Sequence, residues 1–330
     1  MDNRKAQFIL DNLTRLAEKF ELNEAFWERF EKENIFPKTY IEHMKNGNGL
    51  DTENLKKNLL IDITKRHSSS YEKMSKIFRD LFDCDFLDHW CKNYYPNTRP
   101  GYCLIINNEK FETIDNRTGS NTDVTKLCDA FERLNFKVET RSNLSKDEML
   151  DLMKQLNEDD SLKNYDIFML IVMSHGYSSH FMTVDEKYLK YKEIEDNFSH
   201  KKCPQLKNKP KIIIYNCCRE AITDKIAKQI NEQSSERQES IDDGIKDMIV
   251  IYSTLENYLS VRDEEQGTFF ANALVQSLNE FKDTDLDKII QHANKLLIEM
   301  SQNESNHIER RQVIEWRKIG ITKYIYFKTS

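Results

Sequence analysis

Two short runs of this 330-residue sequence carry side chains suited to covalent chemistry. The apolar residues 165–173 lead into Ser174-His175-Gly176, and the apolar residues 211–215 lead into Asn216-Cys217-Cys218-Arg219. If both runs are strands lying side by side, an imidazole and a thiol meet at one rim of a sheet. Such a pair is a nucleophile with its proton acceptor. The thiolate attacks, and a neighbouring imidazolium keeps it ionised. Gly176 has no Cβ, so its N–H can approach a substrate oxygen and join the N–H of Cys218 in an oxyanion hole. Taken alone, one histidine and one cysteine more often form a satisfied core residue and an inert thiol. The surrounding pattern has to decide.

That pattern is one of two domains. Residues 1–90 show helical spacing throughout: Ile9, Leu13, Leu16 and Phe20; Phe26, Trp27 and Phe30; a segment after Pro37; Leu55, Leu59, Leu60 and Ile63; Met74, Ile77, Phe78 and Leu81; and Phe86, Leu87 and Trp90. Six short helices make a compact bundle. Glu21, Glu24, Glu28, Glu31 and Glu33 cluster on its second helix, and Lys56, Lys57, Lys65 and Arg66 on its fourth. These are either solvated faces or two patches that pair with complementary bundles. Residues 91–100 hold Pro96 and Pro100 and read as a linker.

Beyond residue 100 the spacing changes. Apolar runs at 102–106, 165–173, 211–215 and 248–254 alternate with helical segments at 122–134, 269–281 and 286–300. Residues 136–140 alternate like a strand, Ser145 and Glu148 form a capping box, and 321–327 reads as a last strand. Strands apolar on both faces belong inside a parallel sheet covered by helices. Residues 231–240, the most polar stretch, interrupt this domain as a surface loop or a protease-accessible linker.

Composition narrows the classes. Apolar residues make up 38 % and aromatics 11 %, which excludes a wholly disordered chain. A net charge of −7 disfavours bulk nucleic-acid or anionic-membrane binding. No apolar run reaches membrane-spanning length, and Met1 to Lys5 lead into no signal peptide, so a cytoplasmic, reducing setting is expected. The seven cysteines contain no CxxC pair. His175 and His180 with Cys203 lack metal-ligand spacing, so no metal is expected. His180, His200 and His307 stand in no motif and are expected at the surface.

The run Asn216-Cys217-Cys218-Arg219-Glu220 resembles the caspase signature Q-A-C-[RQG]-G, with Cys218 at the nucleophile position and a histidine upstream. The stretches 101–108, 117–123, 203–204, 209–211, 252–254, 260–262 and 267–270 resemble the same family in order, and the bundle resembles a caspase-recruitment domain (CARD). The resemblance, extending to Tyr326-Phe327-Lys328-Thr329-Ser330, is to the apoptotic initiator caspases that carry a CARD. It implies a caspase-like α/β fold, an open and mostly parallel six-stranded sheet flanked by helices, preceded by an all-α six-helix death-fold bundle. It implies a protease domain at 101–330, with a large subunit at 101–230, an intersubunit linker at 231–246 and a small subunit at 247–330.

The resemblance also implies a cysteine endopeptidase needing no cofactor and cutting after aspartate. His175 relays the proton, with a carbonyl near Asp115 orienting its imidazole. Arg117 and Arg262 fork the substrate carboxylate, and Ser260 and Val261 line the extended substrate. Implied partners are a CARD-containing adaptor of apoptosome type, downstream caspase zymogens as substrates, and a second copy in an active homodimer. Two positions depart from the family. Asn216 replaces its glutamine, which shortens the amide's reach and could admit glutamate beside aspartate. Glu220 replaces its glycine, at a cost if that position needs positive φ. These departures support an alternative reading, a catalytically weak homologue acting as a death-fold interaction protein. Asp243, before Gly244 in the polar interruption, is the expected self-processing site.

Overall fold

The structure is a computed structural model. It describes residues 3–46, 51–84, 93–233, 244–281, 284–303 and 312–327. It divides into two compact units, Met1–Tyr94 and Tyr95–Ser330.

The described part of the first unit holds α1 (Asn3–Asp11), α2 (Leu13–Ala17), α3 (Glu24–Lys32), α4 (Lys38–Lys45), α5 (Thr52–Thr64) and α6 (Ser68–Phe82). The first expected helix is two, because Asn12 leaves helical geometry at φ −120° and its amide donates to the Phe8 carbonyl at 2.8 Å. An asparagine side chain competes for backbone partners in this way. The expected segment at 86–90 lies outside the described residues. Asn23 and Asp51 cap α3 and α5 by accepting the N–H of Phe26 and Asn54. The apolar faces close over Phe20, Phe26, Phe30 and Phe78, all buried. The basic residues of α5 and the turn after it are engaged within the unit. Lys56 lies over the Phe20 ring and Arg66 over the Phe36 ring, while Lys57 pairs with Glu53 and Lys65 with Asp62.

The second unit is built on β1 (Gly101–Asn107), β2 (Phe136–Ser142), β3 (Ile167–Ser174), β6 (Lys211–Cys217), β7 (Met248–Tyr252) and β10 (Glu315–Ile319), in the order β10-β7-β6-β3-β1-β2. Every pairing is parallel except that of β10 with β7. Residues of β3 and β6 alternate between two cores. Ile167, Met169, Ile171, Ile212 and Ile214 pack on one face with the helices α7 (Ser120–Arg133), α11 (Phe269–Glu280) and α12 (Leu286–Asn303). Phe168, Leu170, Val172, Ile213, Tyr215 and Cys217 pack on the other with α8 (Lys146–Glu158) and α9 (Tyr191–Asp196). Between β6 and β7 lies α10 (Asp224–Gln233), which carries helix past residue 231, the expected start of the intersubunit linker. Two small hairpins complete the unit, β4 (His180–Met182) with β5 (Tyr188–Lys190), and β8 (Arg262–Asp263) with β9 (Gly267–Thr268). The Ser145–Glu148 capping box opens α8 as expected.

Three expectations are corrected. The last strand is not 321–327 but Glu315–Ile319. Gly320, at φ +63°, turns the chain out of the ladder, and Ile325 and Phe327 are buried by side-chain packing instead. An apolar pattern reports burial, whichever structure provides it. Residues 95–100 are not a free linker. Tyr95 N–H donates to Tyr324, and the Asp166 carboxylate accepts the N–H groups of Thr98 and Arg99 at 2.7 Å each. Finally, His180 is buried rather than at the surface, while His200 is half-buried against Asp247 at 3.3 Å. His307 lies outside the described residues. No helix among the described residues is long and apolar enough to cross a membrane.

Burial opposes the charge of Asp166, but the N–H groups and guanidinium of Arg99 hold its carboxyl below the ordinary range. A carboxyl lowered by folding stabilises above its unfolded pKa and loses that contribution as pH falls through its folded value. Asp166→Ala is expected to cost about 2–3 kcal/mol at neutral pH, measured by chemical denaturation of the full chain, with the difference from wild type shrinking in acid.

Candidate active site

The parallel register pairs Ser174 with Cys217, so the next residue of each strand, His175 and Cys218, emerges at the same carboxyl rim. There a cavity of about 180 Å³ is lined by Arg117, Ser174, His175, Asn216, Cys218, Ser260, Arg262 and Thr268. Six of the expected site residues share this wall. Gly176 and Val261 sit beside it through their backbones, and Asp243 lies outside the described residues. Sequence reading gave no site role to Ser174, named only as the residue before His175, or to Thr268, named only within the stretch 267–270.

The Nε2 of His175 is 2.8 Å from the Asp115 carbonyl, the orienting contact expected for it. A carbonyl only accepts, so Nε2 carries the proton and Nδ1 is left as the base. Phe111 holds the ring edge-to-face at 4.8 Å. Burial, more than anything else, pushes the imidazole below its ordinary pKa; the Asp115 contact opposes this, and Arg117 and Arg262 add to it. Burial also pushes the Cys218 thiol up, against the Ser260 N–H, with Glu220 adding to the rise and both arginines opposing it. Burial thus opposes both charges of the expected thiolate–imidazolium pair, while the Asp115 carbonyl and the Ser260 N–H favour them. Cys218 Sγ rests on the Ser260 backbone, 3.4 Å from its nitrogen and 3.8 Å from its oxygen. Cys217 points into the opposite core, where burial pushes its thiol up to about 12.

Gly176 is needed for close approach. A Cβ there would lie 2.6 Å from the carbonyl oxygen of Cys218 and 2.7 Å from the Tyr191 hydroxyl. The bridge between Gly176 and Phe181 uses the N–H groups of Tyr177 and Met182. Among the described residues neither Gly176 nor Cys218 spends its own N–H on a backbone partner, which leaves two donors at the rim.

Arg117 is buried and spends one guanidinium nitrogen on Asn107 Oδ1 and the Asn108 carbonyl, both at 3.1 Å. Burial pushes its pKa down to about 10, and it stays charged at neutral pH. Arg262, on β8, is partly exposed, and among the described residues its guanidinium has no ion-pair partner. Asn216 donates to Thr268 Oγ1 at 2.9 Å and accepts from Ser260 Oγ at 3.4 Å, so its amide is held in the wall. Glu220 does not sit at positive φ. It bridges to Tyr177, and its carbonyl accepts the Ser178 N–H at 2.8 Å, so the expected glycine penalty does not arise. No group of three His, Cys, Asp or Glu among the described residues could hold a metal ion.

A family profile described as the caspase domain matches residues 100–326. The chain belongs to the caspase family. It is 29 % identical to Caspase-1-A of Xenopus laevis over 202 residues, covering 56 % of this chain and 52 % of that one. It is 28 % identical to Caspase-8 of Mus musculus over 210 residues, covering 57 % and 43 %. It is 27 % identical to Putative inactive caspase B of Caenorhabditis elegans over 259 residues, covering 71 % and 93 %. The chain thus spans about half, or less, of the first two relatives' length. The crystal structure of Caspase-1 from Spodoptera frugiperda shares the fold, with a TM-score of 0.61 at 22 % identity over 72 % of this chain and 94 % of that one. The open, mostly parallel six-stranded sheet is therefore a caspase sheet.

A neutral resting thiol has a kinetic signature. Alkylation of Cys218 by iodoacetamide is expected to keep rising beyond pH ~8.5. A rate already flat near neutral pH would show a preformed thiolate.

Proposed function

We propose that this caspase is an initiator-type cysteine endopeptidase that cleaves after aspartate and also accepts glutamate. The observation that carries the reading is the single cavity in which Cys218, His175, Arg117 and Arg262 converge. In the proposed reaction an extended peptide pairs with the edge at Ser260 and Arg262 and displaces Sγ from the Ser260 backbone. Sγ then bonds to the scissile carbonyl carbon as its proton passes to His175 Nδ1. The oxyanion is held by the N–H groups of Gly176 and Cys218. The imidazolium hands the proton to the leaving amine as the C–N bond breaks, and water hydrolyses the thioester. The guanidinium forks of Arg117 and Arg262 receive the substrate carboxylate. Asn216, one methylene shorter than the family's glutamine and held back by Thr268, leaves room for the longer glutamate.

Recruitment belongs to the same proposal. The N-terminal unit, with six helices among its described residues and segregated charge, serves as a CARD that pairs with an apoptosome-type adaptor in the cytoplasm. Pairing brings two chains together as a homodimer, whose substrates include downstream caspase zymogens in apoptosis. Cleavage after Asp243 separates the part holding His175 and Cys218 from the part holding Arg262. A second reading, a catalytically weak homologue, is favoured by Asn216 and by the burial that opposes charge on Cys218 and His175.

Cys218→Ala is expected to abolish turnover of an acidic tetrapeptide reporter, and Cys217→Ala to retain most of it. A wild-type chain with no turnover in any concentrated or dimerising condition establishes the second reading. Restoring the longer amide by Asn216→Gln is expected to raise the ratio of aspartate to glutamate cleavage by about tenfold or more, read from kcat/KM on paired reporters.

A further inference from the structure

We propose that Gln312 is a positioning residue that braces the substrate-pairing edge from behind and sets its affinity for an extended peptide. This rests on the protease reading above.

The β8–β9 hairpin turns the Val261 backbone inward. The Val261 carbonyl accepts the Phe269 N–H at 3.2 Å, and the Val261 N–H donates to Gln312 Oε1 at 2.9 Å. In an extended chain, successive backbone groups face opposite ways. Ser260 and Arg262 therefore present their N–H and C=O groups outward, those of Ser260 toward Cys218 Sγ. An added strand pairs with such an edge through main-chain bonds. Its affinity depends on the edge being held in one geometry before the peptide arrives.

The side chain of Gln312 does that holding. Its Nε2 donates to the Ser253 carbonyl at 2.7 Å and to Ser260 Oγ at 3.2 Å, and its backbone N–H donates to Ser301 Oγ at 3.1 Å. Ser260 Oγ in turn donates to Asn216 in the cavity wall, and Ser253 Oγ lies 3.2 Å from the carbonyl of Cys217, the residue before the nucleophile. The glutamine is 2 % exposed and touches no cavity surface. One amide thus ties the end of β7, the substrate edge and the approach to β10. An alanine there leaves the Val261 N–H and the Ser253 carbonyl without these partners in a buried site.

In the full-length chain, Gln312→Ala is expected to raise KM for an acidic tetrapeptide reporter about tenfold to thirtyfold. It should leave kcat within a few-fold and the iodoacetamide alkylation rate of Cys218 unchanged. Gln312→Glu keeps the acceptor for Val261 but regains a donor only when protonated. Its KM, taken relative to wild type at each pH, is therefore expected to fall as pH drops from 7.5 to 5.5, a dependence that mere loosening of the fold does not produce. If Gln312→Ala does not fold, the glutamate variant alone decides. The same effect is read without turnover in a Cys218→Ala background, as weaker binding of a labelled tetrapeptide ending in aspartate. Absence of wild-type turnover would refute the protease reading while this binding comparison still stands. Equal peptide affinity with and without Gln312, or a loss confined to kcat, or a pH-independent glutamate variant, would overturn the proposal.

Discussion

The register in which β3 lies against β6 governs everything at the rim. Pairing Ser174 with Cys217 brings His175 and Cys218 out at the same level, and Gly176 permits the close approach that follows. Side chains of a strand alternate with period two, so a slip of one residue exchanges its two faces. On β6 that exchange would bring Ile212 and Ile214 into the core now filled by Ile213, Tyr215 and Cys217. Apolar residues fill both sides, so burial alone would tolerate the swap; shape does not. The three stacked or tilted tyrosines Tyr191, Tyr215 and Tyr252 occupy one side only, and the interior is close-packed. Register, and with it the alignment of imidazole and thiol, is set by aromatic volume on one face of the sheet.

The charge balance of the cavity follows from that placement. Arg117 and Arg262 bear on both reactive groups in opposite senses, since they ease ionisation of the thiol and oppose protonation of the imidazole. For transfer of a proton from one to the other these effects largely cancel. What remains is burial, which disfavours both charged forms, opposed by the Asp115 carbonyl at the imidazole and the Ser260 N–H at the thiol. Burial thus favours a reaction in which charge develops only as sulfur bonds to a carbonyl. That is general-base behaviour, and in the proposed reaction the two N–H donors at Gly176 and Cys218 are the groups that meet the developing oxyanion. A substrate carboxylate between the arginines changes both pKa values in the same direction. Specificity can thus be strong without disturbing the proton transfer.

Much of this arrangement is legible in the amino-acid sequence. Long apolar runs ending in Ser174-His175-Gly176 and Asn216-Cys217-Cys218 announce buried parallel strands with chemistry at their ends. The motifs around Arg117 and Arg262 carry the cavity's cations. The features without a sequence signal have one physical source, assembly between residues far apart along the chain. Thr268 enters the cavity because a short hairpin folds back on Arg262, and Gln312 reaches Val261 from beyond α12. Thr268 stands in a recognisable stretch without marking its place in the cavity, and Gln312 has no local signal. The misplaced last strand shows the converse. Ile325 and Phe327 look like strand residues because they are buried, but Gly320 has already turned the chain out of the sheet. Asn12 splits a helix that its apolar spacing describes as continuous.

The two departures from the family signature do not weigh equally. A glycine matters where the backbone takes positive φ or where another chain comes too near for a Cβ. Position 220 does not take positive φ, and its carboxylate is on an exposed residue, where solvent screens it. Its influence on Cys218 is secondary to burial and to the Ser260 N–H. Position 216 is different. It is buried in the cavity wall, and its amide is tied to Thr268 and Ser260. Under the proposed specificity, the loss of one methylene sets the amide further from a substrate carboxylate and lengthens the space in front of the two arginines. On that proposal the consequence falls on which acidic side chain is received, not on the nucleophile or its base. The departure at 216 therefore argues for altered selectivity more strongly than for lost catalysis.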